Sequence, residues 1–337
     1  MGRPMRPASF RFPLVGTHGQ GVFIYIYERS GSMPWMWENS AKTLTLPVNF
    51  CRDQYIFDTD VPRQNIETLT KDQNQASWSR KGDISERCFY IPVDLVDKFP
   101  KNSNLFRDTI ACVTQLYADS QYPESNIITS SIRQIIGNMG LAYSGERAAQ
   151  IEEALIFARF YTVSHQPIYK TVNGKNIKYD STFGFIESID KEIEINGIPV
   201  KPSVAKTKIT INGNYAQILR NQKLPKAPIP VAALEKANQA PRRLITPAKN
   251  LVYRLAARVP EIKTAYKIST LAEIMGFKTN RKDRLIKSIN NTVEILYPIM
   301  IHDYYIENNK YIISLAGRKV VGPNTPQSGT QYAKPRT

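Results

Sequence analysis

Hydrophobic positions along the chain change their spacing several times. Between residues 14 and 92 they fall in short aromatic and β-branched runs, "GVFIYIYE", "KTLTLPVNF", "QYIFD" and "RCFYIPVDL", separated by Gly, Pro and Asn/Asp. Runs of that kind predict strands and turns. From Asn104 to Ser120 the spacing becomes helical, with Leu105, Ile110, Val113, Leu116 and Tyr117 on one face. A short helix follows in "ITSSIRQIIGNMG", capped by Thr129 and stopped by Gly137 or Gly140. A longer one follows Ser144, with Ile151, Leu155 and Ala158 as its apolar stripe. Beyond it, Asn-Gly pairs at Asn173-Gly174, Asn196-Gly197 and Asn212-Gly213 punctuate β-like segments and predict hairpins.

The order then recurs. Residues 221–247, rich in Pro, Lys and Ala, read as a connection. Pro247 to Val259 reads as a helix opening on proline, Ser269 to Gly276 as a short helix and Asn280 to Leu296 as a longer one. Residues 299–315 read as two strands around "ENNK". Laid together, Ile132-Arg133-Gln134-Ile135-Ile136-Gly137 matches Leu271-Ala272-Glu273-Ile274-Met275-Gly276 in apolar positions and closing glycine. A short helix, a turn, a longer helix and a hairpin make up a helix-turn-helix with a wing. The fold expectation is therefore α+β: tandem winged-helix domains preceded by a β-rich N-terminal region. The expected boundaries are 1–100 for that region, 101–220 for the first winged helix and 221–247 for the linker. The second winged helix covers 248–316, and 317–337 forms a disordered tail.

The second copy offers a face for DNA. Leu285, Ile289, Val293 and Leu296, with Ile286 beside them, form an inward stripe. Asn280, Arg281, Lys282, Arg284, Lys287, Ser288 and Asn291 are then largely outward, and Arg318 and Lys319 add charge beyond the hairpin. Arginine pairs with guanine and asparagine with adenine, while lysine mostly meets phosphate. In the first copy Arg147 and Gln150 are candidates for bases, Arg133 for phosphate, and Lys175 and Lys178 for a basic wing tip. However, Glu146, Glu152 and Glu153 share that helix. The first copy is thus either a DNA contact or a packing and dimerisation module.

Charge supports an anionic partner. The net charge is +16, and it is graded: +1 over residues 1–100, +6 over 101–244 and +9 over 245–337. A protein this basic pairs with nucleic acid more often than with an anionic membrane. The longest apolar run near the start, "VFIYIY", is too short to span a bilayer. No signal-peptide pattern opens the chain, and a cytoplasmic, non-membrane protein is expected. Cys51, Cys88 and Cys112 lie far apart and read as buried, reduced thiols.

Catalytic signatures are absent. His18, His165 and His302 stand alone; there is no His-x-His pair, no phosphate-binding Gly-rich loop and no nucleophile elbow. The acids of "SIDKEIEI" alternate with Ile189, Ile193 and Ile195 and read as the outer face of a strand, not a metal site. Trp35 and Trp37 read as core or interface residues. No enzyme activity, cofactor or metal is expected.

Residues 101–315, and above all "TPAKNLVYRLAARVP", "KISTLAEIMGF" and "RKDRLIKSINNTVEIL", resemble plasmid replication initiator proteins. The resemblance implies binding to repeated double-stranded origin sites, origin opening, and recruitment of the host initiator and replicative helicase. It also implies a major-groove role for the second winged helix, and homodimer or further DNA contacts through the first. Residues 1–100 depart from the family pattern. The competing expectations are a phage- or plasmid-borne transcriptional regulator and an RNA-binding or structural protein.

Overall fold

The computed structural model describes residues 42–52, 54–57, 70–72, 75–81, 86–92, 103–172, 175–201, 205–222, 224–258, 263–277 and 281–316. Of residues 54–55, 70–72, 75–81, 86–88, 164–172 and 175–181 it describes the backbone alone. All of them belong to the unit Trp35–Thr337. The expectations for residues 1–41, including His18, Trp35 and Trp37, and for the tail from 317 lie outside the described residues.

The elements run β1 (Thr43–Pro47), α1 (Val48–Arg52), β2 (Thr70–Asp72), β3 (Gln75–Lys81) and β4 (Glu86–Pro92). Then come α2 (Ser103–Asp119), β5 (Ile127–Ser131), α3 (Ile132–Asn138), α4 (Gly145–Phe160), β6 (Thr162–Val172), β7 (Lys175–Gly184), β8 (Ile186–Lys191), β9 (Glu194–Ile195), β10 (Ile198–Pro199) and β11 (Lys206–Ile211). The chain continues through α5 (Gly213–Arg220), β12 (Lys226–Pro230), α6 (Val231–Asn238), α7 (Arg242–Ala256), β13 (Lys263–Lys267), α8 (Ile268–Met275), α9 (Lys282–Ile295), β14 (Ile301–Glu307) and β15 (Lys310–Leu315). The architecture is mixed α and β, with every described ladder antiparallel.

Two parts share one connectivity. In the first copy, helix α2 is followed by β5, α3, α4, β8 and β11, and the sheet order is β5-β11-β8. In the second, α7 is followed by β13, α8, α9, β14 and β15, and the sheet order is β13-β15-β14. In both, the last strand sits between the other two. The first copy differs by an insertion: β6 and β7 come between its longer helix and β8 and join a separate sheet ordered β2-β3-β4-β6-β7. The hairpin equivalent to β14–β15 is therefore β8–β11, and not the hairpin that follows the longer helix directly.

The N-terminal strands are not a separate layer. Strand β1 pairs with β12, with Leu44 opposite Ile229, and β4 pairs with β6, with Phe89 opposite Val163. Phe50 stacks on Tyr215 at 5.8 Å between centroids, Phe57 lies 5.4 Å from Phe185, and the Tyr161 hydroxyl donates to the Ile56 carbonyl at 2.6 Å. Residues 43–57 thus close the core of the first copy. An apolar strand such as "TLTLP" cannot shed its aliphatic side chains from water alone, so it pairs where a second sheet edge is available.

Three further expectations change. Residues 221–247 are not a loose connection: they hold β12, α6 and the start of α7, with Val231, Ala233, Leu234 and Ala237 buried. Pro247 does not open its helix but lies inside it, because Arg242 to Thr246 already supply the preceding turn. Thr129 is in a strand, and Ser131 caps α3, its hydroxyl accepting from the Gln134 amide at 3.1 Å. Ser144 does cap α4, accepting from the Arg147 amide at 3.1 Å.

Buried polar contacts join the copies through their first helices. Lys249 of α7 donates to Asp108 of α2 at 2.5 Å, with side chains only 5% and 3% exposed. The Tyr253 hydroxyl donates to the other Asp108 oxygen at 2.7 Å. The Arg107 guanidinium lies 4.0 Å over the Tyr253 ring and donates to Asn250 at 3.0 Å. Burial pushes the Tyr253 phenol well above its ordinary range, so it stays a donor. Cys51 and Cys112 are free and buried, and burial pushes both thiols up to about 12. The side chain of Cys88 lies outside the described residues.

Candidate nucleic-acid interface

The short helix of each copy ends in a left-handed glycine. Gly276 has φ 77°, with the Phe277 amide donating to the Ala272 carbonyl at 2.9 Å and the Gly276 amide to Glu273 at 3.0 Å. Gly140 has φ 70°, with the Leu141 amide donating to Ile136 at 3.1 Å and the Gly140 amide to Gly137 at 3.2 Å. Both are Schellman closures, which need a residue without a Cβ penalty. The equivalent of Gly276 is therefore Gly140 and not Gly137. Shared landmarks set the register: Ile132, Ile135, Ile136, Met139 and Gly140 match Ile268, Leu271, Ala272, Met275 and Gly276. All eight apolar members are buried. The sequence match at Gly137 also aligned apolar residues because helical spacing repeats every three or four positions.

In α9, Ile289, Thr292, Val293 and Leu296 are buried, while Leu285 and Ile286 pack against the core from its margin. Each buried aliphatic side chain contributes roughly 1.5–3 kcal/mol, against a few tenths for an exposed charge pair. The apolar stripe thus decides how the helix rolls. The Tyr311 hydroxyl of β15 holds it in place, donating to Asn290 at 2.7 Å and to the Ile286 carbonyl at 3.2 Å. Arg281, Lys282, Arg284, Lys287 and Asn291 are exposed and Ser288 is half-buried. Among the described residues, the side chains of Lys282, Arg284, Lys287 and Asn291 make no hydrogen bond or ion pair. Arg281 occupies the N-cap position without a capping side-chain bond. Asn280, Arg318 and Lys319 lie outside the described residues.

Strand register adds two residues that sequence reasoning missed. Lys267 lies directly opposite Lys310 across β13 and β15, and both are exposed. Like charges in that position repel, and Glu307, opposite Lys310 on its other side, supplies one carboxylate beside the two ammonium groups. Nothing local marks Lys267, because its cross-strand neighbour comes from beyond α9. Lys263, on the same face, is tied to the Tyr305 hydroxyl at 2.5 Å, which holds its ammonium above its ordinary range.

The same buried pattern places the first copy's outward positions. Ile151, Ala154, Leu155 and Ala158 are buried in α4 and match Ile289, Thr292, Val293 and Leu296. The positions equivalent to Arg284, Lys287, Asn291 and Glu294 are then Glu146, Ala149, Glu153 and Ile156. Arg147 is not among them: its guanidinium donates back to the Ala142 carbonyl. Gln150 donates to Glu146 at 3.1 Å. Arg133 is exposed on α3, 5.8 Å from the Tyr143 ring. Lys175 and Lys178 sit on β7 in the inserted sheet, away from the hairpin equivalent to β14–β15, and their side chains lie outside the described residues. The site candidates of the first copy do not converge on one face as those of α9 do.

No protein-family model matches the chain, and no curated protein sequence matches it significantly. Among solved structures, the chain is similar to selenomethionine derivatives of domains 2 and 3 of RctB. The identity is 10% and the TM-score 0.44, over 81% of this chain and 98% of that one. A second structure of RctB domains 2–3 matches at 10% identity and a TM-score of 0.40, over 74% and 92%. At this degree of likeness no function transfers, and the side chains themselves must supply it. Among the described residues no helix is long and apolar enough to cross a membrane, and no group of His, Cys, Asp or Glu is placed to hold a metal ion.

Proposed function

We propose that the chain is a sequence-specific double-stranded DNA-binding protein whose second copy is a winged helix. Helix α9 enters the major groove, Arg281, Arg284 and Asn291 meet base edges, and Lys282, Lys287, Lys267 and Lys310 meet phosphate. The observation that carries this reading is the exposed row Arg284, Lys287 and Asn291, opposite the buried Ile289, Val293 and Leu296. Arginine and asparagine are the side chains that make paired hydrogen bonds to guanine and adenine. The charge gradient toward the C-terminal part supports the same surface.

The finer reading is a replication initiator that binds repeated origin sites, opens DNA by binding energy and borrows the host initiator and helicase, with no chemistry of its own. It rests on the sequence resemblance and on two joined copies of one helix–strand arrangement. Selection of bound sites from random duplexes by the full chain, followed by salt titration, tests DNA binding. The expected result is one enriched motif and a log K that falls by about 0.9 per log unit of salt for each phosphate contact. A chain that enriches no motif and binds no DNA at low salt would remove the proposal. For the initiator role, a replicon carrying the enriched repeats should fail without the gene. Normal replication would leave a regulator instead.

A further inference from the structure

Residues 221–260 hold eight Lys or Arg and one carboxylate, Glu235. Four of these cations are engaged within the fold. Lys249 is buried against Asp108, Arg254 donates to the Arg52 carbonyl at 2.8 Å, Lys226 lies 4.9 Å from the Tyr122 ring and Arg258 5.8 Å from that of Tyr266. Lys223 lies outside the described residues. The other three are Lys236 near the end of α6 and Arg242 and Arg243 at the start of α7, and all are exposed. Their side chains make no hydrogen bond, ion pair or ring contact among the described residues. The Glu235 carboxylate is turned to Gly140, beside the end of α3. The turn that carries the three cations is firm. The Gln239 amide donates to the Glu235 carbonyl at 3.1 Å, the Ala240 amide to Ala237 at 3.2 Å and the Leu244 amide to Pro241 at 2.7 Å. Buried Leu234, Ala237 and Leu244 anchor it.

Stability does not ask for cations here. Arg242 and Arg243 open a helix, where the backbone dipole is positive and repels them. The three unpaired like charges also repel one another, and an anion in front of them removes both penalties. Shape and neighbours select the anion. A membrane takes either an apolar side chain to insert or a cluster of about four to eight cations. Around this turn Gln239, Pro241 and Thr246 are exposed, and none of the exposed large hydrophobic residues lies there. A guanidinium pair suits phosphodiesters, whose paired oxygens match its planar fork. Helix α7 packs against α9, so the patch stands on the element that braces the proposed reading helix. With 15 residues, α7 spans about 22 Å, less than the roughly 34 Å of one duplex turn. We propose that Lys236, Arg242 and Arg243 bind the phosphates of DNA flanking the site read by α9, within about one turn of it. The position of that DNA rests on the reading by α9, and the test separates the two.

The test uses the full chain and two duplexes carrying the selected motif, one ending at the motif and one extended on each side by about ten base pairs, one helical turn. At low salt the parent should bind the extended duplex at least about tenfold more tightly than the trimmed one. The Lys236→Gln/Arg242→Gln/Arg243→Gln variant should lose that advantage, and its salt slope should fall by about 0.9 for each phosphate contact removed. It should select the same motif and melt at or slightly above the temperature of the parent, because cations leave the positive end of α7. Equal binding of the extended duplex by parent and variant would overturn the proposal and leave the reading by α9 intact. Loss of motif selection in the variant would also overturn it, by putting these residues at base edges. A parent that binds duplexes without selecting a motif, and does so through these three residues, would keep the phosphate patch and remove the reading by α9. A parent that binds no duplex would remove both. Binding to phosphatidylserine vesicles that the variant loses, with duplex affinity unchanged, would replace DNA with a membrane.

Discussion

Apart from the β6–β7 insertion and the β9–β10 hairpin in the first, the two copies share one connectivity and matching buried positions, yet their outward surfaces differ in charge. Where α9 shows Arg284, Lys287, Asn291 and Glu294, α4 shows Glu146, Ala149, Glu153 and Ile156. Burial alone decides how each helix rolls, so the outward positions vary without cost to the fold. The second copy places cations and amides there, and the first places carboxylates and an aliphatic side chain. The hairpins that follow the longer helices diverge likewise. That of the second copy is a tight turn with Asn308 and Asn309 at φ 49° and 61°, followed by Lys310. That of the first extends into a small hairpin on which Ile193, Ile195 and Ile198 are exposed. The proposed DNA contact therefore falls to the second copy.

The contrast breaks most severely at the joint. Asp108→Ala leaves the Lys249 ammonium buried without its partner, and should destabilise the chain by about 3–5 kcal/mol in chemical denaturation. A change of under about 1 kcal/mol would mean that the two copies are not held through this pair. Next comes the reading surface: Arg284→Ala should weaken the selected DNA site by about 1–3 kcal/mol and relax one base position. Lys287→Ala should instead weaken all sequences alike and lower the salt slope by about one. Equal losses for Arg284→Ala on selected and random DNA would put Arg284 on phosphate. The helix-closing glycines sharpen the register. Gly276→Ala should cost about 1–2 kcal/mol through its left-handed backbone alone, since a Cβ there meets open space. Gly140→Ala should cost more, because its Cβ would overlap the Glu235 carboxylate, which must move. Thermal melts that rank Gly137→Ala above Gly140→Ala would put Gly137 opposite Gly276 instead. Smallest of all, Arg147→Ala should leave DNA affinity within about 0.5 kcal/mol, since its guanidinium is turned to its own loop. A loss as large as that of Arg284→Ala would make α4 a second reading helix.

Much of this was legible in local pattern. The stripe Ile289, Val293 and Leu296, the stop at Gly276 and the turn after Glu307 follow from spacing and turn chemistry that act within a few residues. The outward side of α9 follows from its inward side, so Arg284, Lys287 and Asn291 could be named in advance. Arg147 and Gln150 could not be sorted in this way. In α4 the large apolar residues do not single out one side, since Ile151, Leu155 and Phe157 are buried while Ile156 is exposed. The hairpin of the first copy equivalent to β14–β15 could not be picked out in advance, because Asn173-Gly174 and Asn196-Gly197 give equal hairpin signals and only strand pairing separates them.

The sequence by itself determined several elements that close over short range: the Ser144 cap, the Gly276 stop, the turn after Glu307 and the apolar stripe that rolls α9; the cap expected at Thr129 and the hairpin expected at Asn212-Gly213 did not form, since Ser131 caps α3 and Asn212 caps α5. It also determined the charge gradient, because composition does not depend on packing. Tertiary structure decided which distant strands share an edge. It joined β1 to β12, set β11 between β5 and β8, and brought Lys267 against Lys310 and Asp108 against Lys249. Those choices are settled by the burial available when whole elements pack, and no window of residues contains that quantity.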